Sequence, residues 1–136
     1  MIGGKLKHED ALKFILGGKS TFTFLNPKTE NRFTFKVKKH KTDDVYFISV
    51  LTGPDTYAFI GTIIDKVYKH SRKSKISTDA QSVRVFEYIL NKLKIDNLPD
   101  FIEIWHSGSC GRCGKPLTDP ISIEKGLGPY CRTIST

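Results

Sequence analysis

Four residues near the C-terminal end of the sequence carry its clearest chemistry. They are His106, Cys110, Cys113 and Cys131, spaced H-x3-C-x2-C-x17-C. Zinc favours four ligands in a tetrahedron, and structural sites draw them from thiolate and imidazole. Two cysteines separated by two residues can grip one ion because the turn between them points both sulfurs inward. Gly111 and Gly114 suit that turn, since glycine adopts positive φ at little steric cost, and they free backbone N–H groups to bond the thiolates. Cys131 brings a third sulfur from beyond a loop, aimed by Gly126-Leu127-Gly128-Pro129. His106 is the chosen fourth ligand because it stands close to the first cysteine. His8, His40 and His70 are distant in sequence but can be near in space. Three thiolates and a neutral imidazole around Zn2+ leave a net charge of −1, which Arg112, Lys115, Lys125 and Arg132 offset.

Other readings compete with structural zinc. A C-x-x-C pair can be a redox couple, but Gly114 and Pro116 stand where a helix should begin and a third cysteine follows. A catalytic zinc needs an open coordination position and an acid or base beside it. Glu103, Asp119 and Glu124 are the candidates. The zinc-deaminase pattern H-x-E…P-C-x-x-C is absent. No nucleophile elbow or phosphate loop occurs either. The expectation is a non-enzymatic protein, with a small zinc or thiol enzyme as the weaker alternative.

The elements that position these residues read as α+β. The chain has 136 residues, which suits one compact domain or a small domain with an appendage. Residues 8–16 have a helical pattern with acidic residues in the first turn and Gly17-Gly18 after it. Thr21-Phe22-Thr23-Phe24 and Arg32-Phe33-Thr34-Phe35-Lys36-Val37-Lys38 alternate apolar and polar residues as half-buried strands do, with a turn at 26–31. Residues 45–51 and 57–64 are two further strands. A basic connector over 66–75 leads to a helix at 78–93, capped from Ser77-Thr78-Asp79. Its apolar stripe is Val83, Phe86, Ile89, Leu90 and Leu93. Residues 101–105 form a last short strand. The expected architecture is an antiparallel sheet of four or five strands with one main helix packed on it. The body spans residues 1–100 and a zinc knuckle spans 101–136. Phe22, Phe24, Phe33, Phe35, Phe47 and Phe86 are read as core, and Trp105 as the cover that couples knuckle to sheet.

The net charge is +8 and the pI near 9.4, which attracts anionic partners without specifying a fold. Lys36, Lys38, Lys39 and Lys41 form one basic group, Lys66, Lys69, Arg72, Lys73 and Lys75 a second, and Arg112 and Lys115 a third. If they converge they make a phosphate-binding surface, with Tyr46, Tyr57, Tyr68 or Tyr130 available to stack bases. Otherwise they are a solvated rim and a guard on an exposed strand edge. Nucleic acid is the favoured partner, and an acidic host protein the second. With no apolar leader, no membrane span and an odd cysteine count, the expected setting is the cytoplasm.

The run C-G-R-C-G-K-P-L-T-D-P-I-S-I-E-K-G-L-G-P-Y-C after His106 resembles the C-terminal zinc-knuckle-like module of a family of functionally uncharacterised phage and bacterial proteins. The stretches R-F-T-F-K-V, F-I-S-V-L-T-G-P-D and K-S-K-I-S-T-D-A look like its longer phage members. The resemblance implies a phage or prophage source, hence a host-cell cytoplasm, and a zinc site. It supplies no activity. Because phages carry small proteins that disable host defences, it also suggests an anti-defence role through binding a host protein.

Overall fold

A computed structural model describes residues 3–134. The fold is α+β: a seven-stranded antiparallel sheet with helices on one face. The chain runs β1 (Lys5–Leu6), α1 (His8–Ile15), β2 (Lys19–Asn26), β3 (Asn31–Lys39), β4 (Val45–Leu51), β5 (Tyr57–Ile64), β6 (Val67–His70), α2 (Gln81–Lys94), β7 (Glu103–His106), α3 (Pro120–Lys125) and α4 (Pro129–Ile134). Across the sheet the order is β1-β7-β2-β3-β4-β5-β6. The meander β2 to β5 follows the alternation in the sequence. Three strands go beyond the expected set or change its layout. β1 has only two residues, too few for a periodic signal. β6 lies within the stretch read as a basic connector: Tyr68 is buried while Val67 and Lys69 face solvent, as suits an edge strand. The two-residue turn into it, Asp65-Lys66, has φ of 54° and 64°, the left-handed geometry that matches hairpin twist. β7 lies inside the sheet, between β1 and β2. The expected boundary at residue 100 therefore falls before an interior strand, and the knuckle leaves the sheet only after His106.

Side-chain alternation divides the sheet into two unlike faces. One face carries Phe22, Phe24, Phe35, Val37, Ile48, Val50, Ile60, Ile63 and Ile104, all buried. Helix α2 lays the expected stripe of Val83, Phe86, Ile89, Leu90 and Leu93 on it. Phe86 meets Phe35 at 5.0 Å, Tyr68 at 5.5 Å and Phe24 at 6.2 Å between ring centroids. Each such ring contributes about 1.5–3 kcal/mol by leaving water. The helix starts at Gln81, because Ser77 spends its hydroxyl on the Asp79 N–H in a preceding turn. Among the described residues the other face carries no helix, and Phe47 stands on it, 38% exposed, so it is not a core residue. No helix among the described residues is long and apolar enough to cross a membrane.

Candidate metal centre

After His106 the chain forms a small hairpin. The Cys110 and Lys115 backbones bond at 2.8 Å, Leu117 N–H donates to the Gly108 carbonyl, and Ser109 and Pro116 bridge. Gly114, at φ 80°, closes the turn. Asp119 then caps α3, accepting from the Ser122 N–H and hydroxyl, with Pro120 at the first helical position. Gly126, at φ 75°, ends α3. Gly128 and Pro129 turn the chain into α4, which carries Cys131. The three sulfurs thus come from a hairpin and a helix, and all lie within 4.8 Å of one another. A tetrahedral ion with Zn–S bonds of about 2.3 Å holds its sulfurs about 3.8 Å apart, so this group could hold a metal ion with little adjustment.

The cluster's electrostatics favour a bound cation. Cys110 is fully buried and its Sγ accepts N–H bonds from Arg112 and Gly128, each at 3.4 Å. Burial alone would raise its pKa, but backbone bonds from Cys113, Gly128 and Arg112 and the neighbouring Cys113 thiol bring it down to about 7. Cys131 moves the other way. Burial, then its hydrogen bonds to Cys110 and Cys113, push it up to about 11, while the Arg112 side chain bonded to it pulls weakly down. Protein dipoles stabilise one thiolate in this space, and ionising all three calls for a cation among them.

His106 does not join the sulfurs, which corrects its expected role as fourth ligand. Its ring is fully buried, with Nε2 against the Ile123 carbonyl and Nδ1 accepting the Gly108 N–H at 3.0 Å. These partners fix a neutral tautomer with the proton on Nε2 and leave no lone pair for a metal. Burial holds its pKa below the ordinary value. His106 is a buried clasp between β7 and helix α3, and its ring centroid lies 5.7 Å from that of Phe14. The other histidines are spent elsewhere: His8 on the Ile102 carbonyl, His40 in its own turn, His70 between Tyr68 and Ile76. Among the described residues no imidazole or carboxylate joins the three-sulfur group.

The residue that couples knuckle to body is Phe14 of α1. A Cβ on Gly111 would lie 2.7 Å from the Phe14 ring, and one on Gly126 2.5 Å from it. A Cβ on Gly17 would meet the Gly111 carbonyl at 2.5 Å, and Lys19 N–H donates to that same carbonyl. Gly111 is thus required for close approach, not for positive φ, and Gly17 does more than stop a helix. Trp105, expected in this coupling role, is on the opposite face of the sheet from His106, with its indole N–H donating to Glu103.

The eleven basic residues separate into groups. Lys36, Lys38 and Lys69 stand on the helix-free face of the sheet. Lys39, Lys41 and Lys66 lie at the end of β3 and in the β3–β4 and β5–β6 turns, among Asp43, Asp44 and Asp65. Arg72, Lys73 and Lys75 line the loop from β6 to α2. Arg112 serves the Cys131 sulfur, and Lys115 closes the hairpin through its backbone. The helix-free face adds Lys19 and Arg32, unmarked at first although Arg32 sits in the same alternating run as Lys36 and Lys38.

Residues 106–134 match a family profile described as "Family of unknown function (DUF6011)". The match spans His106 and all three cysteines. No curated protein and no solved structure matches the chain.

Proposed function

We propose that this is a zinc-carrying, non-enzymatic protein of phage type that contacts nucleic acid through the helix-free face of its sheet. The observation that carries the reading is the charge on that face. Lys19, Arg32, Lys36, Lys38 and Lys69 project from it, and each is exposed. The strands contribute one carboxylate there, Glu103, and it is held by the Trp105 indole and, at 3.9 Å, by Lys5. A cationic plane of this kind releases counterions when it meets a phosphate backbone. Zinc is the ion proposed because structural zinc sites draw on thiolates of this kind. It would order the knuckle and supply no reaction. In support, the candidate acids and bases are already committed: His106 to two backbone groups, Asp119 to the α3 cap, Glu124 to Lys7 at 3.2 Å, and Glu103 to Trp105. The Ser122 bonds hold the Asp119 carboxyl below the usual range, so it is ionised and no proton donor near neutrality. Phage origin, and a host cytoplasm as the setting, rest on the family resemblance.

Anisotropy of labelled DNA and RNA, titrated at low and rising salt, tests the reading. Affinity should fall linearly with salt on logarithmic axes, and absence of binding at low salt removes the proposal. One observation favours the second reading, an anti-defence protein that binds an acidic host factor. Phe47, Ile64 and Val67 expose an apolar patch beside Lys69 at the β6 edge, and such patches can mark protein interfaces. A pull-down from bacterial lysate that survives nuclease treatment would support it.

A further inference from the structure

We infer that the helix-free face is a track for single-stranded nucleic acid, with bases stacking on its rings and phosphates lying on its lysines. This deepens the nucleic-acid reading and rests on it.

The register provides the argument. Lys38 pairs with Phe47, Phe47 with Thr62, and Thr62 with Lys69. One row across four strands therefore reads cation, ring, hydroxyl, cation. In the neighbouring rows, Lys36 pairs with Ser49 and Ser49 with Phe59, and Leu51 pairs with Tyr57. The Phe47 and Phe59 rings are 6.3 Å apart, and the Lys36 ammonium sits 4.2 Å over the Tyr57 ring. Strands rise about 3.3 Å per residue and neighbours lie about 4.8 Å apart, so rings and cations interleave at the spacing of side chains. Towards β7, a shallow hollow of about 560 Å³ is lined by Gly3 together with Thr23, Leu25, Arg32, Thr34, Leu51 and Trp105. That volume is in the range of small-molecule sites. Its polar lining includes two threonines bonded to each other at 2.7 Å and one arginine.

This surface suits unpaired bases and not a duplex. Among the described residues it is a sheet plane on which no helix lies to enter a groove. Rings interleaved with lysines, Phe47 the most exposed among them, offer their faces to bases free to turn onto them. Stacking of this kind tolerates any sequence, because every base has a π-face.

The test uses the full-length, metal-loaded protein and a labelled mixed-sequence 12-mer, offered as single-stranded DNA, as single-stranded RNA and as duplex DNA. Anisotropy should show the single strands bound at least about tenfold more tightly than the duplex. The single tryptophan of the chain, Trp105, should be quenched by the single strands. F47L with F59L removes rings and keeps apolar cover, so the melting temperature should change little while single-strand affinity drops about tenfold or more. K36Q with K38Q should flatten the salt slope. Equal or tighter binding of the duplex, with Trp105 silent and the leucine variant unaffected, overturns the inference while leaving nucleic-acid binding in place. No binding by any of the three oligonucleotides at low salt overturns both, and turns attention to an acidic protein partner.

Discussion

The body and the knuckle of this protein are ordered by different physics. The body has one continuous core running from Leu6 through the Phe22, Phe24, Phe35 and Phe86 rings to Ile104. The knuckle's own hydrophobic cluster has four buried members, Cys110, Leu117, Leu127 and Cys131, and two of those are thiols. Burial at roughly 25 cal/mol per Å² can hold the first together. It cannot do so for the second, whose order draws on hydrogen bonds and the Asp119-capped α3, with an ion expected to complete it. The comparison teaches where function can be borne. A sheet stabilised from one face leaves its other face free for charge and rings. A segment with so small a cluster draws its order from other sources, and three thiols within 4.8 Å of one another offer a metal ion as one of them.

The largest effect expected from breaking this comparison is in the cysteines. Replacing Cys110, Cys113 or Cys131 by serine should release the ion and disorder residues 107–134, a loss of several kcal/mol in the knuckle. The body should stay folded. Amide exchange read by mass spectrometry should show deprotection confined to the knuckle, and uniform deprotection would mean that the two regions are one cooperative unit. Next is Phe14, which belongs to the body's core and touches both knuckle glycines. F14A should cost about 3–5 kcal/mol and also loosen the metal, visible as faster transfer to a chelator. G111A acts from the other side of the same seam. Its Cβ would lie 2.8 Å from the Phe14 carbonyl, and overpacking of this kind costs about 1–3 kcal/mol, read as a lowered denaturation midpoint.

A smaller effect concerns pH. Burial holds His106 below its ordinary pKa, so the folded protein keeps it neutral where the unfolded chain takes up a proton. Its contribution to stability is complete above the unfolded value of about 6.5 and is lost as pH falls below it. H106Q should therefore show a shallower decline in melting temperature between about pH 6.5 and 5 than the native protein. Equal slopes in the two would place the acid sensitivity elsewhere. Smallest of all on stability are K36Q and K38Q on the exposed face, expected within about 0.5 kcal/mol of native while weakening nucleic-acid binding at low salt.

The parts legible in the sequence were those with a period. Alternation at 21–24 and 32–38 and the stripe of α2 gave strands and helix nearly as they are, and the three cysteines announced themselves by spacing. What was not legible depended on contacts distant in sequence. The partnership of β7 with β1 and β2 rests on Leu6 facing Ile104 and Phe24 facing Ile104, which no local pattern reveals. His106 looked like a ligand because it precedes Cys110 by four residues. Only the folded chain brings the Ile123 carbonyl to its Nε2. Lys66 to Lys75 looked like a linker because an edge strand guarded by lysine has the composition of one. The Asp119-Pro120-Ile121-Ser122 run did carry a helix start, a cap followed by proline, and it could have been read as such.

Elemental analysis of untagged protein, native beside H106Q and C113S, tests the central claim most directly. Close to one zinc per chain is expected in the native protein and in H106Q, and almost none in C113S. A native protein without stoichiometric metal, or an H106Q protein that loses it, would contradict a centre built on three sulfurs alone.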